Sequence, residues 1–188
     1  TEISLPVLPV LNESSFEGCR SLTSFDAEAV VSVGKTVFKN CILLKSVNLP
    51  SATSLGTEAF NNTGIRKIGF PSVTQVSSSC FKGCTNLSTI FLPLVETLAT
   101  YSFADCTNLR AFIAPKLSVI NGYTFANCIN LKSLWLPEVK EVKSGGFELS
   151  SVEYLQFDKA TTILSLPNTI KGLVLPSTIK TISAATPD

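Results

Sequence analysis

Histidine is absent from this chain of 188 residues, and so is methionine. Without an imidazole the chain lacks the commonest general base, the usual nitrogen ligand for metals, and any Ser-His-Asp or Cys-His nucleophile. Charge is scarce as well, at 15% of residues, and fifteen basic groups against fourteen acidic ones leave a net charge of +1. So even a balance gives no reason to expect nucleic acid or a membrane surface as a partner through overall charge. No apolar run approaches the roughly 18 residues of a spanning helix, so membrane insertion is not expected. Nor does the chain open with a charged stretch leading into an apolar one, the pattern of a secretory leader. A glycine-rich phosphate loop is missing, and Glu96, Glu138, Glu141, Glu148, Glu153 and Asp158 fall at different places in the pattern described next, so no carboxylate pair can be assigned. The reading is non-enzymatic, with no cofactor and no metal site.

What the chain does have is a period. Phe16, Phe38, Phe60, Phe81, Phe103, Phe125 and Phe147 stand 22 residues apart, except for one interval of 21 between Phe60 and Phe81. Cys84, Cys106 and Cys128 keep the same spacing, as do Leu87, Leu109 and Leu131. A fixed period of this length marks a solenoid, in which each rung buries its apolar face against the next. Within a rung the pattern is Leu-x-x-apolar-x-apolar, usually closed by Pro, as in LSTIFLP and LKSLWLP. Its alternation predicts a short strand with one face buried, and the proline, lacking an amide donor, ends the pairing. A second apolar pair follows, such as Val95 and Leu98, and predicts an extended or turn-like segment on the opposite wall. No stripe with helical spacing is long enough to predict a helix. The pattern weakens after Val152, where Asp158 replaces the proline and the final rung starts early. Terminal repeats normally carry a polar cap, and neither end shows a clear one. The expectation is therefore a single domain over residues 1–188, about eight rungs of 21 to 22 residues, excised from a longer protein.

The composite seen intact in FKGCTNLSTIFLPLVETLATYSF, and nearly so in FANCINLKSLWLPEVKEVKSGGF, resembles the BspA-like class of leucine-rich repeats. The similarity runs from Ile3 to about Ile182, with departures at Thr63 and Ser150 for Cys and at Glu28 and Asp158 for Pro. What the resemblance implies is a right-handed leucine-rich-repeat solenoid of the α/β horseshoe class, with strands on its concave side. It also implies an extracellular or cell-surface protein of bacteria or protozoan parasites that takes part in adhesion.

Cys19, Cys41, Cys84, Cys106 and Cys128 share one repeat position and are expected to stack inward as free thiols, since Thr63 and Ser150 replace them elsewhere. Cys80 lies outside that column and is expected to be more exposed. The outward strand positions define the candidate binding face. Phe91, Ile113 and Trp135 occupy one position in three consecutive rungs, and Tyr154 comes one rung later. Together they predict a continuous exposed apolar strip, a common mark of contact sites. A neighbouring column, Thr23, Lys45, Arg66, Ser88, Arg110, Lys132, Glu153 and Lys171, is basic at five of eight places, with Arg110 and Lys132 best placed to assist. The expected partner is a host matrix or cell-surface protein. A glycan is the alternative, although polar groups beside Phe91 and Ile113 are sparse, and a passive spacer is a third reading. On the other readings the strip packs on a neighbouring segment and the basic column is a solvated edge.

The inward assignment predicts that Phe103→Ala costs about 3 to 5 kcal/mol in denaturant unfolding, the range for an emptied aromatic site. A loss below about 1 kcal/mol would show that Phe103 is not core.

Overall fold

Each rung has two places where an inward apolar residue stands beside outward-facing ones, and both become short strands. The computed structural model describes residues 1–183, so the last five residues of the expected domain lie outside the described residues. The first six strands are β1 (Glu2–Ser4), β2 (Val10–Leu11), β3 (Ser24–Asp26), β4 (Ser32–Val33), β5 (Ser46–Asn48) and β6 (Ser54–Leu55). Next come β7 (Lys67–Gly69), β8 (Gln75–Val76), β9 (Thr89–Phe91), β10 (Thr97–Leu98), β11 (Ala111–Ile113) and β12 (Val119–Ile120). The last are β13 (Ser133–Leu136), β14 (Glu141–Val142), β15 (Tyr154–Phe157), β16 (Thr162–Ile163), β17 (Gly172–Val174) and β18 (Thr181–Ile182). No helix occurs among the described residues, as the absence of a helical stripe predicts. The fold is a parallel β-solenoid, and nine odd-numbered strands mark eight turns between the first and the last.

The two strand walls differ. The even strands form one unbroken parallel sheet of nine, from β2 to β18. Its inward column runs through Leu11, Val33, Leu55, Val76, Leu98, Ile120, Val142 and Ile163, all buried. Its outward column is mostly Ser, Thr and charged residues. The odd strands form three separate sheets, β1-β3-β5, β7-β9-β11 and β13-β15-β17. Two seams therefore cross that wall, between β5 and β7 and between β11 and β13.

A third side carries the phenylalanines. Each phenylalanine of the repeat position from Phe16 to Phe125 donates its backbone N–H to the carbonyl just before the next one in that position, as in Phe38 to Ala59 at 2.8 Å and Phe103 to Thr124 at 3.0 Å. The rings stack in one continuous column with centroid separations from 5.2 Å to 6.1 Å. Phe25 and Phe112 stand edge-on against successive pairs of them, a favourable aromatic geometry. The widest gap in the column, 6.1 Å between Phe103 and Phe125, is where Phe112 is wedged, whereas Phe25 stands in the same way between Phe16 and Phe38 with the strands beside it unbroken. The first seam has a local cause in the sequence. The rung after Phe60 is one residue short, and Gly64 comes so close to Ile42 that a Cβ there would fall 2.4 Å from its carbonyl oxygen.

The phenylalanine turn needs left-handed backbone twice per rung. The residues two before and two after each phenylalanine have positive φ, from Ser14 and Gly18 through Tyr101 and Asp105 to Gly145 and Leu149. After the phenylalanine this position is filled by Gly18, Asn40, Asn62, Gly83, Asp105 and Asn127, the residue types that tolerate the conformation. Leu149 is the exception, with φ 51° and its side chain largely in solvent. Leu149→Asn should therefore raise stability by about 1 kcal/mol, the strain of a left-handed L-residue. Chemical denaturation measures it, and a loss of stability would mean that the leucine contacts outweigh the strain.

Candidate functional site

The inward thiols are explained by a hydrogen bond that apolar residues could not make. Cys41, Cys84, Cys106 and Cys128 each donate Sγ–H to the carbonyl of the phenylalanine one rung earlier, namely Phe16, Phe60, Phe81 and Phe103, at 3.0 to 3.2 Å. Thr63, which replaces a cysteine, keeps its hydroxyl within 3.2 Å of Cys84 Sγ. Burial pushes Cys41 and Cys84 up to about 11 and Cys128 up to about 12. It also raises Cys106 and Cys80. Two expectations are corrected here. Cys19 is exposed rather than inward, because it lies in the first rung and no earlier rung covers it. Cys80 is fully buried rather than exposed. It occupies the position just before the phenylalanine, where Val37, Ala59, Ser102 and Thr124 are also buried.

The outward face of the odd strands carries the candidate contact residues. Phe91, Ile113, Trp135 and Tyr154 are exposed by 45%, 46%, 62% and 52%, large values for such side chains. They do not form one strip in register, however. Phe91 and Ile113 are direct cross-strand partners on β9 and β11. Trp135 lies beyond the second seam on β13, opposite Gln156. Tyr154 on β15 faces Ser133 instead, so it is offset by two residues from the tryptophan. The face thus presents two pairs.

Each aromatic has a local support. Phe91 pairs with Gly69, whose missing Cβ would lie 3.5 Å from Phe91 Cβ. Tyr154 pairs with Gly172, where a Cβ would fall 2.8 Å from ring atom Cδ1, so only glycine leaves room for the ring. The Trp135 indole N–H donates to Asp158 Oδ2 at 3.3 Å, and Gln156 donates to Oδ1 of the same carboxylate at 3.0 Å. Sequence reasoning missed Asp158 as the partner of Trp135 and Gln156, although its replacement of the proline was the available signal.

The basic column divides in the same way. Lys132 and Lys171 both pair with Glu153, at 3.5 Å and 2.8 Å. The hydrogen bond from Lys171 holds the Glu153 carboxyl below its ordinary value and raises Lys171 in return. Lys132 therefore shares its one counter-charge with Lys171, which makes the closer contact. Arg110 instead lines an open recess of about 450 Å³ with Lys45, Arg66, Lys67, Asn86, Ser88 and Asn108, across the first seam. Among the described residues no group of His, Cys, Asp and Glu is arranged to hold a metal ion, and no helix is long and apolar enough to cross a membrane.

With this geometry in view, the chain was compared with known proteins. Residues 9–116 and 96–186 match, in six copies, the profile described as a BspA type Leucine rich repeat region. A leucine-rich repeat protein from Eubacterium ventriosum is similar at 26% identity with a TM-score of 0.76, over 81% of this chain and 43% of its own. One from Bacteroides ovatus is similar at 23% identity and a TM-score of 0.73, over 96% of this chain and 56% of its own. A leucine rich cell surface protein from Faecalibacterium prausnitzii shares the fold at 14% identity, with a TM-score of 0.51, over 89% of this chain and 69% of its own. The chain spans about half the length of the first two. No curated protein matches.

The burial of five thiols predicts that a thiol reagent at pH 8 modifies Cys19 alone in the folded chain and all six thiols after denaturation. A buried thiol raised from 9.0 to about 11 stabilises the fold fully below pH 9, and that contribution is lost as pH rises toward 11. Urea midpoints measured across that window should therefore fall.

Proposed function

The chain belongs to the BspA-type leucine-rich-repeat family, and from that premise we propose that it is a non-enzymatic, cell-surface or secreted interaction module of a longer protein. Its partner is a protein of the host matrix or of another cell, bound on the concave face through Phe91, Ile113, Trp135 and Tyr154. The observation that carries this reading is the exposure of four large apolar side chains on one wall, two of them held by specific supports, Asp158 under the indole and Gly172 under the phenol ring. Exposed Trp and Tyr are the residues most enriched as binding anchors, and side chains fixed before contact lose less entropy on binding. The description of one solved relative as a cell surface protein supports the location.

In this reading Lys132 steers the approach of a partner, while its pairing with Glu153 limits what it adds to affinity. The test is Trp135→Ser assayed against a panel of immobilised matrix proteins, with circular dichroism and the melting temperature followed in parallel. Folding should be unchanged within about 0.5 kcal/mol, as for an exposed site. Binding should weaken by about 2 kcal/mol, roughly 30-fold, as for a hot-spot residue. Undiminished binding would place the contact face elsewhere.

A further inference from the structure

The recess across the first seam is chemically unlike the apolar pairs. It gathers Lys45, Arg66, Lys67 and Arg110, and no acidic side chain lines it. Six other lysines of the chain are tied to carboxylates, at Glu13, Glu58, Glu138, Glu141 and Glu153. Among the described residues none of these four cations is in an ion pair or a side-chain hydrogen bond. Four like charges brought together without counter-charges repel one another, so the fold bears a cost here that an anion would remove.

The backbone adds a donor at the same place. The amides of Thr23, Lys45, Ser88, Arg110, Glu153 and Lys171 each donate to the carbonyl one rung back. At the short rung this bond is missing, and among the described residues the Arg66 amide has no backbone partner. Beside it stand hydroxyl and amide acceptors. Ser88 donates its hydroxyl to Arg66 O, which leaves its oxygen lone pairs free, and Asn108 donates Nδ2 to Thr85 O, which leaves Oδ1.

From this we infer that the recess binds an acidic polysaccharide, a chain bearing both anionic groups and hydroxyls, laid along the solenoid axis. Guanidinium groups take sulfate or carboxylate oxygens in bidentate fashion. The acceptors of Ser88 and Asn108 take the sugar hydroxyls, which an acidic peptide backbone cannot supply in number. Lys45 and Arg110 are three strand spacings apart, about 14 Å, so the site spans several sugars. A protein partner would need an apolar, aromatic core to its interface, and the recess has no apolar side chain in its lining. A nucleic acid would need stacking platforms beside the charge, and no aromatic lines it either.

The test measures binding of the full chain to a heparin octasaccharide, a polygalacturonate octamer, a poly-glutamate peptide and a single-stranded oligonucleotide, by calorimetry at 150 mM salt. Tight binding of the first identifies sulfate as the preferred anion and of the second carboxylate, and either result supports the inference. Arg66→Gln with Arg110→Gln should weaken the bound glycan by at least about 10-fold with the melting temperature unchanged or raised, since two of the four repelling charges are gone, and Trp135→Ser should leave glycan binding as it was. Poly-glutamate or the oligonucleotide binding as tightly as either glycan would overturn the inference, as would no glycan binding at all or full affinity in the double arginine variant. Loss of glycan binding in Trp135→Ser would transfer the glycan to the apolar pairs and overturn it equally.

Discussion

Two spacings have to agree for this molecule to exist. Parallel strands hydrogen-bond about 4.8 Å apart, whereas the stacked phenylalanine rings on the third side lie 5.2 to 6.1 Å apart. The backbone ladder and the ring column run together from Phe16 to Phe147, so each of those rungs is held at one pitch by bonds on one side and by aromatic packing on another. The even wall keeps to the ladder without a break, through all nine strands. The odd wall is interrupted at two seams. One seam falls between β11 and β13, where the rung length is normal, and the other where a residue is missing before Ile65 and Gly64 lies against Ile42. A solenoid distributes stability over nearest-neighbour contacts, which lets such interruptions be local.

Those seams also divide the outward face. The acidic and polar end lies on β1 to β5, the cationic recess bridges the first seam, and the apolar pairs stand on either side of the second. Function in this family of folds resides in outward positions that the core leaves unconstrained. The outward face of this wall therefore carries three chemically distinct zones.

Most of the core was legible because a column repeats its chemistry: seven phenylalanines at one position and an apolar pair at the next leave little freedom of phase. Leu87, Leu109 and Leu131 are buried as their spacing requires. Cys80 was misread because it was judged against the cysteine column, when the column it belongs to, with Val37, Ala59, Ser102 and Thr124, is uniformly small and inward. Cys19 was misread because burial of a repeat position depends on having a neighbour, which the pattern within one rung does not record. The exposure of Phe91, Ile113, Trp135 and Tyr154 was legible from strand alternation. Their division into pairs was not, since a period cannot show that hydrogen bonds fail between β11 and β13, where the rung length is normal. Asp158 and Glu153, which hold Trp135 and tie down Lys132, become visible only when adjacent rungs are laid side by side.

The central claim is that one wall is continuous and the other is cut at two defined places. Residue-resolved amide hydrogen exchange tests it most directly. The account predicts strong protection at Gly34, Gly56, Ala99, Lys143 and Leu164 along the even wall and at Lys45, Ser88 and Arg110 within the odd sheets, with fast exchange at Arg66 and Lys132. Protection at Arg66 and Lys132 equal to that at Lys45 and Arg110 would mean that the odd wall is unbroken, and would contradict it.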